Sequence, residues 1–181
     1  MPFPALGEGP SRAAPRHTPP VDVGLAGPQD AGDLARLLRL FGSPEEQEQS
    51  LETFEGDLAG WWAEHERSHI PFVARTAASD VVGMAWLAVV PRVPRPGSLA
   101  RLSADVQSVF VLPAQRGKGI GGALVRAVTD HALRLGAVHV TVHSSEGAVP
   151  LYERLGFTSS PLLLQTPAPA LVDEVPAAPG N

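Results

Sequence analysis

The sequence predicts an α/β protein in which a mixed β-sheet carries helices on both faces. The hydrophobic pattern switches several times between a period of two residues and a period of about 3.6 residues. Strand-like and helix-like segments therefore follow one another, which is typical of a sheet whose strands are joined through helices. The chain has 181 residues, of which 44% are apolar and 18% charged, so it is long and apolar enough for one domain with a substantial core.

Proline and glycine mark the ends of that domain. Residues 1–20 and 166–181 are rich in Pro, Ala and Gly and lack a hydrophobic period, so they are predicted to be disordered tails. The folded domain is predicted to span residues 21–165. Inside it, the proline-rich stretch 91–97 is predicted to be a loop between two strands.

The first half of the domain predicts a strand, two helices and two further strands. The first helix places Leu34, Leu37 and Leu38 at helical spacing. The second helix stops before Ile70-Pro71, because a residue that precedes proline disfavours the helical conformation. The predicted elements of this half are strand 21–26, helix 29–40, helix 47–66, strand 71–76 and strand 81–90.

The second half predicts a strand over 100–112, a long helix, a strand over 138–143, a short helix and a final strand that ends in the apolar residues 161–164. Gly136 follows the long helix, as expected for a residue just past a helix C-terminus. Pro150 lacks an N–H, so the short helix should begin near Gly147 or Ala148 and hold the proline in its first turn.

The composition excludes several classes of function. The formal net charge is −5 and the pI is about 5.6, whereas a protein that binds nucleic acid without sequence preference needs an excess of cations. No stretch approaches the roughly 18 apolar residues of a membrane span, and no apolar run of a signal peptide is present. The absence of cysteine excludes a disulfide framework and a thiolate nucleophile. We expect a cytoplasmic protein that binds neither nucleic acid nor membranes.

Four glycines and two cations stand together in residues 115–122 (QRGKGIGG), at the predicted start of the long helix. A helix N-terminus exposes unpaired N–H groups and the positive end of the helix dipole, and glycines leave no Cβ atoms in the way of a ligand. The cations Arg116 and Lys118 can add charge-assisted contacts. The stretch predicts a pyrophosphate-binding loop. The alternative is that its glycines serve only close packing of the helix on the sheet.

Two common phosphate motifs fit this stretch poorly. Gly117, Gly119 and Gly122 satisfy the dinucleotide pattern G-x-G-x-x-G. However, the acidic residue expected at the end of the next strand is missing unless Glu146 takes its place. A P-loop is excluded, because no Gly-Lys-Ser or Gly-Lys-Thr is present to hold magnesium.

The segment VFVLPAQRGKGIGGALV, followed about 25 residues later by LYERLGF, resembles the GNAT superfamily of N-acetyltransferases. The match to the acetyl-CoA motif of the family is carried by Arg116, Gly119 and Gly121. The resemblance covers about residues 21–165. It implies a sheet that is splayed between its fourth and fifth strands, with the pantetheine arm of acetyl-CoA in the split. The positions implied to bind the cofactor are Val109, Phe110 and Val111 on the fourth strand, and Arg116, Gly117, Lys118, Gly119, Ile120, Gly121 and Gly122 in the loop.

Acetyl transfer to an amine needs a base for the ammonium group, polarisation of the thioester carbonyl and an acid for the leaving thiolate. The resemblance assigns the acid to Tyr152, the only tyrosine of the chain. A phenol with a pKa near 10 stays protonated at neutral pH and can protonate a thiolate. The alternative is a tyrosine that packs against the cofactor and hydrogen-bonds it without transferring a proton.

The resemblance is less direct for the base. One branch of the superfamily carries a glutamate on the fifth strand, where this chain has Val140. Another branch carries a glutamate eleven residues before the arginine of the motif, where this chain has Asp105. Asp105 is the predicted base, and its shorter side chain would act through a water. His143 is the alternative, since histidine titrates near pH 6.5, and His139 shares its parity on the strand.

Other positions concern cofactor and acceptor contacts. Ser145 stands where the family commonly has a cofactor-binding asparagine, so we expect a hydrogen bond of shorter reach there. In this superfamily the second helix and the loop before it help to line the acceptor cleft. Trp61, Trp62 and Arg101 are therefore candidates for acceptor contacts, although tryptophan is more often a core residue.

A competing motif is present in HERSH, residues 65–69. Two histidines one helical turn apart bind zinc in metalloproteases, and the glutamate between them is the base. His65, Glu66 and His69 fit that pattern. Ile70-Pro71 ends the helix at once, however, and no third ligand follows at a familiar spacing, so a solvated helix end is favoured.

The sequence therefore predicts an enzyme that moves an acetyl group from acetyl-CoA to a primary amine by direct attack in a ternary complex, without a metal. The alternatives are an acyl-CoA-binding module without turnover and, less favoured, a zinc hydrolase. A peptide N-terminus, a lysine, an antibiotic, a polyamine and an amino acid all stay open as acceptors. Members of the family often pair as homodimers, although no interface is recognisable in this sequence.

Overall fold

The computed structural model describes residues 21–166, so residues 1–20 and 167–181 of the predicted tails lie outside the described range. The elements within that range are β1 (Asp22–Leu25), α1 (Ala31–Phe41), α2 (Leu51–His65), β2 (His69–Arg75), β3 (Val81–Pro91), β4 (Leu102–Val111), α3 (Ile120–Arg134), β5 (Ala137–Val142) and α4 (Val149–Arg154).

The five strands form one mixed sheet in the order β1-β2-β3-β4-β5. The first three pairs of neighbouring strands are antiparallel and the pair β4–β5 is parallel. β3 lies in the centre, and its residues 81–89 are all buried, because helices cover the sheet on both sides. The predicted α/β architecture is confirmed.

The two faces of the sheet are covered by different helices. α3 packs on one face, where Leu124 and Val128 are fully buried against residues of β2, β3 and β4. α1 and α2 cover the other face with Leu34, Leu37 and Leu58. Each helix therefore buries one apolar stripe, as an amphipathic surface helix does.

A buried ion pair fixes the start of α1 to the sheet. Asp30 directly precedes α1 and is 3% exposed. Its Oδ2 accepts hydrogen bonds from Arg75 Nη2 at 2.6 Å and from the Gly27 backbone N–H at 2.8 Å. A buried carboxylate needs such partners. The pair therefore ties the beginning of α1 to the end of β2.

β4 contains a bulge at Ser108, where the register against β3 shifts. Ser108 has a φ of 46°, in the left-handed region that residues other than glycine rarely adopt. Before the bulge, Ala104 and Val106 face α3; after it, Phe110 faces α1 and α2 whereas Val111 faces α3. Side chains alternate between the two faces along a strand, so the bulge has exchanged the faces on which the even-numbered and odd-numbered residues of β4 lie.

β4 and β5 separate just before the bulge. Their parallel pairing runs from Leu102 opposite Ala137 to Val106 opposite Val142, where β5 ends. β4 continues to Val111, so its edge is open on the β5 side over residues 107–111. This opening is the predicted splay between the fourth and fifth strands.

The predicted final strand is wrong. Residues 157–166 follow α4 without forming a strand, and Leu162 and Leu164 are almost fully exposed. The reason is a local turn. The backbone N–H of Leu163 donates to the Ser160 carbonyl and that of Leu162 to Ser160 Oγ, while Pro161 has no N–H for a strand ladder. β5 is consequently an edge strand within the described residues.

We expect Gly83→Ala to destabilise the protein by about 1–3 kcal/mol through overpacking. A Cβ at Gly83 would lie 3.0 Å from the Phe110 carbonyl oxygen and 3.2 Å from Leu124 Cδ1. Urea unfolding measures the loss. The matched control is Gly24→Ala in β1, where a Cβ meets nothing within 4 Å, and this variant should stay within about 0.5 kcal/mol of the wild type. Equal losses in both variants would contradict the close approach of β3 to β4.

We expect Ser108→Val to cost about 1–3 kcal/mol, because a β-branched residue is strained at positive φ. Ser108→Gly removes the side chain that makes this conformation unfavourable and should leave the unfolding free energy equal or higher. The same urea experiment ranks the three proteins. If the valine variant were as stable as the wild type, the left-handed bulge would not be present in solution.

Candidate functional site

The glycine-rich loop (residues 115–122) connects the end of β4 to α3. Gly117 and Gly119 have φ values of 75° and 79°, which glycine adopts without strain. Gly119 is the N-cap of α3, and no side chain caps that end of the helix. A Cβ at Gly117 or Gly119 would meet no atom within 4 Å. The loop therefore presents open backbone at the positive end of a helix dipole, a geometry suited to an anion.

Gly121 and Gly122 lie one step further, inside α3. A Cβ at these positions would come to 3.8 Å and 3.5 Å, respectively, from the side chain of Leu151 in α4. These are ordinary contact distances. A Cβ would therefore fit at Gly121 and Gly122, and Gly117 and Gly119 face open space, so close packing of the helix does not require glycine at any of the four positions.

The two cations of the loop are held by different partners. Arg116 Nε donates a hydrogen bond of 3.0 Å to the Val111 carbonyl, and its guanidinium lies 5.6 Å from the centre of the Phe110 ring. Lys118 Nζ donates to Gln115 Oε1 at 2.7 Å. Arg116 is exposed yet anchored at the end of β4, so its charge stands beside the open strand edge.

A Schellman motif ends α4 and places Tyr152. The backbone N–H of Phe157 donates to the Tyr152 carbonyl and that of Gly156 to the Glu153 carbonyl, while Gly156 has a φ of 91°. The ring of Phe157 makes an edge contact with the ring of Tyr152 at a centroid distance of 5.5 Å. The sequence YERLGF encodes this motif locally, because glycine alone takes the left-handed position without strain. Pro150 lies in the first turn of α4, as predicted.

Tyr152 is 8% exposed, and burial raises its pKa above the ordinary value. It borders a cavity of about 500 Å³ between α4 and the edge strand β5, with Val140, Val142 and Phe157 also in the wall. A phenol with a raised pKa stays protonated at neutral pH, so Tyr152 is available as a proton donor.

Asp105 lies on β4 opposite Ala88 of β3 and Thr141 of β5. It is partly buried and points to the face covered by α1 and α2, since its neighbours in sequence face α3. Thr141 Oγ1 donates a hydrogen bond of 2.9 Å to Asp105 Oδ1, and Gln107 Nε2 donates one of 3.2 Å to Oδ2. Both carboxylate oxygens are therefore oriented just before β4 and β5 separate.

A cleft of about 360 Å³ lies on the same face, between the end of α1, the start of α2 and the β4 bulge. Its walls include Leu38, Arg39, Phe41, Glu46, Phe54 and Ser108. The loop before the second helix therefore reaches the bulge.

The two candidate tryptophans are not among the residues that line this cleft. Trp61 is 41% exposed, and both Trp61 and Trp62 make edge contacts with the buried Trp86, at 6.2 Å and 5.8 Å between ring centroids. Arg101 precedes β4, away from the bulge, where Nη1 donates to the Val93 carbonyl at 3.0 Å. Desolvation, with the nearby charges of Arg95 and Arg92, lowers the pKa of Arg101.

The remaining candidates on the β5 side are exposed. His139 Nε2 accepts a hydrogen bond of 3.2 Å from Arg92 Nη1, and His143 Nδ1 lies 3.5 Å from Gln165 Nε2. Ser145 is exposed just before α4, in the turn that begins there.

The histidines of HERSH lie on different elements. α2 ends at His65, whereas His69 begins β2, so they do not occupy one helical turn. Desolvation and the neighbouring His65 lower the pKa of His69. β2 starts two residues earlier than predicted because His69 and Ile70 already pair with Ala88 and Leu87 of β3. Among residues 21–166, no group of three or more His, Cys, Asp or Glu side chains is placed to hold a metal ion.

Three residues of the site were not predicted from the sequence. Thr141 reaches Asp105 through the pairing of β5 with β4, for which the sequence gives no signal at this position. Gln107 lies two residues from Asp105 on β4 itself, where residues two apart share a face of the strand. Phe157 could have been found, because the residue after a C-terminal glycine commonly contacts the helix it follows.

Between residues 21 and 166, no helix is long and apolar enough to cross a membrane.

Comparisons with known proteins agree with this geometry. The model of the acetyltransferase (GNAT) family matches residues 33–157. Glucosamine 6-phosphate N-acetyltransferase of Trypanosoma brucei brucei is 36% identical over 77 residues, which is 42% of this chain and 50% of that protein. The chain thus matches about half the length of this curated relative.

Two solved structures show the same fold. An acetyltransferase of Trypanosoma brucei has a TM-score of 0.65 at 24% identity and covers 82% of this chain and 100% of its own. A predicted acetyltransferase with acetyl-CoA from Clostridium acetobutylicum has a TM-score of 0.63 at 15% identity, covering 81% and 96%. Because the family model spans well over half of the chain and the fold agrees, this protein belongs to the GNAT family of acetyltransferases.

Proposed function

We propose that this chain is an N-acetyltransferase that moves the acetyl group of acetyl-CoA to a primary amine by direct attack in a ternary complex. The observation that carries the proposal is the uncapped N-terminus of α3, which stands beside the open end of β4. A helix end of this kind binds a diphosphate, and an open strand edge can pair with the amide groups of a pantetheine arm.

The residues present fit acetyl-CoA. The amides of residues 117–122 would hold the diphosphate, because the positions at Gly117 and Gly119 are free of any side chain. Arg116 and Lys118 would add charge-assisted contacts. Val109, Phe110 and Val111 offer the backbone of the open β4 edge, and Ser145 an exposed hydroxyl before α4.

Bound acetyl-CoA supplies a thioester that an amine can attack. Tyr152 acts as the general acid and donates its phenolic proton to the departing sulfur. Asp105 acts as the general base, directly or through a water, and takes a proton from the acceptor ammonium so that the nitrogen lone pair becomes available. The alternative base, His143, is exposed beyond the end of β5, whereas Asp105 is oriented by two hydrogen bonds.

The acceptor approaches from the face of α1 and α2, through the cleft at Ser108. Residues 42–66 contain eight Asp or Glu residues and no Lys or Arg, which favours a cationic amine. The similarity to the relative from Trypanosoma brucei brucei favours an amino sugar phosphate as acceptor.

The activity is tested by following the release of CoA with a thiol reagent, with glucosamine 6-phosphate, spermidine and a lysine peptide as acceptors. Acetyl-CoA binding without turnover on the panel would indicate a binding module instead.

Gly119→Ala should weaken acetyl-CoA binding at least about tenfold, equivalent to roughly 1.4 kcal/mol. A methyl group there would stand over the amides that bind the diphosphate. Gly97→Ala is the matched control, because Gly97 has a φ of 77° and equally open surroundings, so both variants carry the same backbone strain. The stabilisation of each protein by acetyl-CoA, measured by thermal shift, should fall only for Gly119→Ala. Equal affinity of both variants for acetyl-CoA would show that the glycine-rich loop is not part of the binding site.

Tyr152→Phe should lower kcat roughly 100-fold at pH 7.5 with little change in the KM for acetyl-CoA, because packing is kept and the proton donor is lost. Burial raises the pKa of Tyr152 above its ordinary value near 10, so the wild-type kcat should not fall on the alkaline side below about pH 10. Initial rates across pH measure both effects. A change confined to KM would make Tyr152 a packing residue only.

A further inference from the structure

We propose that Thr141 is a positioning residue: its hydroxyl holds the carboxylate of Asp105 in the orientation that accepts the acceptor's proton. This inference rests on the proposed function. It adds a residue on β5 to a step for which Asp105 on β4 is the predicted base and His143 the alternative.

The hydrogen-bond geometry identifies the carboxylate as the partner of the hydroxyl. Thr141 Oγ1 is 2.9 Å from Asp105 Oδ1 and 3.3 Å from the Ala104 carbonyl oxygen. A hydroxyl has one proton to donate, and the shorter contact to an ionised acceptor is the stronger one. Thr141 therefore donates to Asp105, and the carbonyl is at most a secondary acceptor.

The place of this contact in the sheet explains its use. Asp105 and Thr141 are paired one residue before Val106 and Val142, the last pair at which β4 and β5 still run together. Beyond that pair the strands separate. A side-chain hydrogen bond at this point links the two strands next to the split, so the orientation of the carboxylate is coupled to the geometry of the opening.

The second oxygen of the carboxylate is oriented from the same strand. Gln107 Nε2 donates to Asp105 Oδ2 at 3.2 Å, and Gln107 is exposed whereas Thr141 is half-buried. A carboxylate offers about four lone-pair positions, so two donors leave room for an incoming proton. The less exposed donor, Thr141, fixes the rotamer of Asp105, since solvent competes less with its hydrogen bond.

The experiment compares Thr141→Val, Thr141→Ser and Asp105→Asn in the full chain. Valine keeps the shape of threonine and suits a strand but has no hydroxyl, whereas serine keeps the hydroxyl. With acetyl-CoA and whichever of glucosamine 6-phosphate, spermidine and the lysine peptide the wild type turns over fastest, we expect Thr141→Val to lower kcat about tenfold and Asp105→Asn about 100-fold. Thr141→Ser should stay within about twofold of the wild type, and the thermal shift with acetyl-CoA should be unchanged in all three variants.

The double variant Thr141→Val with Asp105→Asn separates positioning from a structural role. If Thr141 acts through Asp105, the double variant should be no slower than Asp105→Asn alone, because residues that act as a unit are not additive. A further tenfold loss, or a wild-type kcat in Thr141→Val, would overturn the inference while leaving the proposed function intact. No turnover by the wild type on glucosamine 6-phosphate, spermidine or the lysine peptide would overturn the proposed function and this inference with it.

Discussion

The geometry of the whole site depends on one backbone constraint, the left-handed conformation of Ser108 in β4. An uninterrupted strand would keep one parity toward α3 along its length, and Phe110 would then point away from α1 and α2. The bulge reverses the parity within the strand, and the two sides of it then serve different purposes. Before the bulge, β4 pairs with β5 and carries Asp105; after it, the strand runs free of β5 toward the glycine-rich loop. Bulges are common next to functional sites because they redirect side chains and end strand pairing. This one redirects Phe110 and lies two residues past Val106, the last residue of β4 that pairs with β5.

The order of the elements could be predicted from the sequence because each depends on local signals. The period of the apolar residues, Gly136 after α3 and Pro150 in the first turn of α4 are all properties of a few neighbouring residues. The bulge was not predicted, because a serine in the sequence does not indicate a positive φ, whereas a glycine at that position would have done so. The final strand was wrong because three consecutive leucines suggest a strand, whereas Ser160 and Pro161 fold the segment into a turn. The two histidines of HERSH have the spacing of one helical turn in the sequence, but in the structure α2 ends at the first histidine and β2 begins at the second.

The candidate site divides in the same way. The glycine-rich loop and Tyr152 belong to short segments whose residues are consecutive, so their positions could be recognised. The contact of Asp105 with Thr141 joins residues 36 positions apart and depends on the register of the parallel pair. Register is a property of the whole sheet and is fixed by which faces are buried, so no local sequence pattern could predict this contact. The buried pair of Asp30 and Arg75 is a second example, since it joins two elements that are distant in the chain.

The Schellman motif at the end of α4 has a consequence for how the two proposed proton-transfer groups, Tyr152 and Asp105, respond to substitutions elsewhere in the chain. Its hydrogen bonds and its Tyr152–Phe157 ring contact are confined to six consecutive residues, so this end of the machinery is self-contained. The carboxylate of Asp105 is not supported locally in the same way, because one of its two hydrogen-bond donors, Thr141, lies on a separate strand at the edge of the sheet. Loosening that edge would therefore disturb the proposed base, Asp105, while leaving the proposed acid, Tyr152, in place.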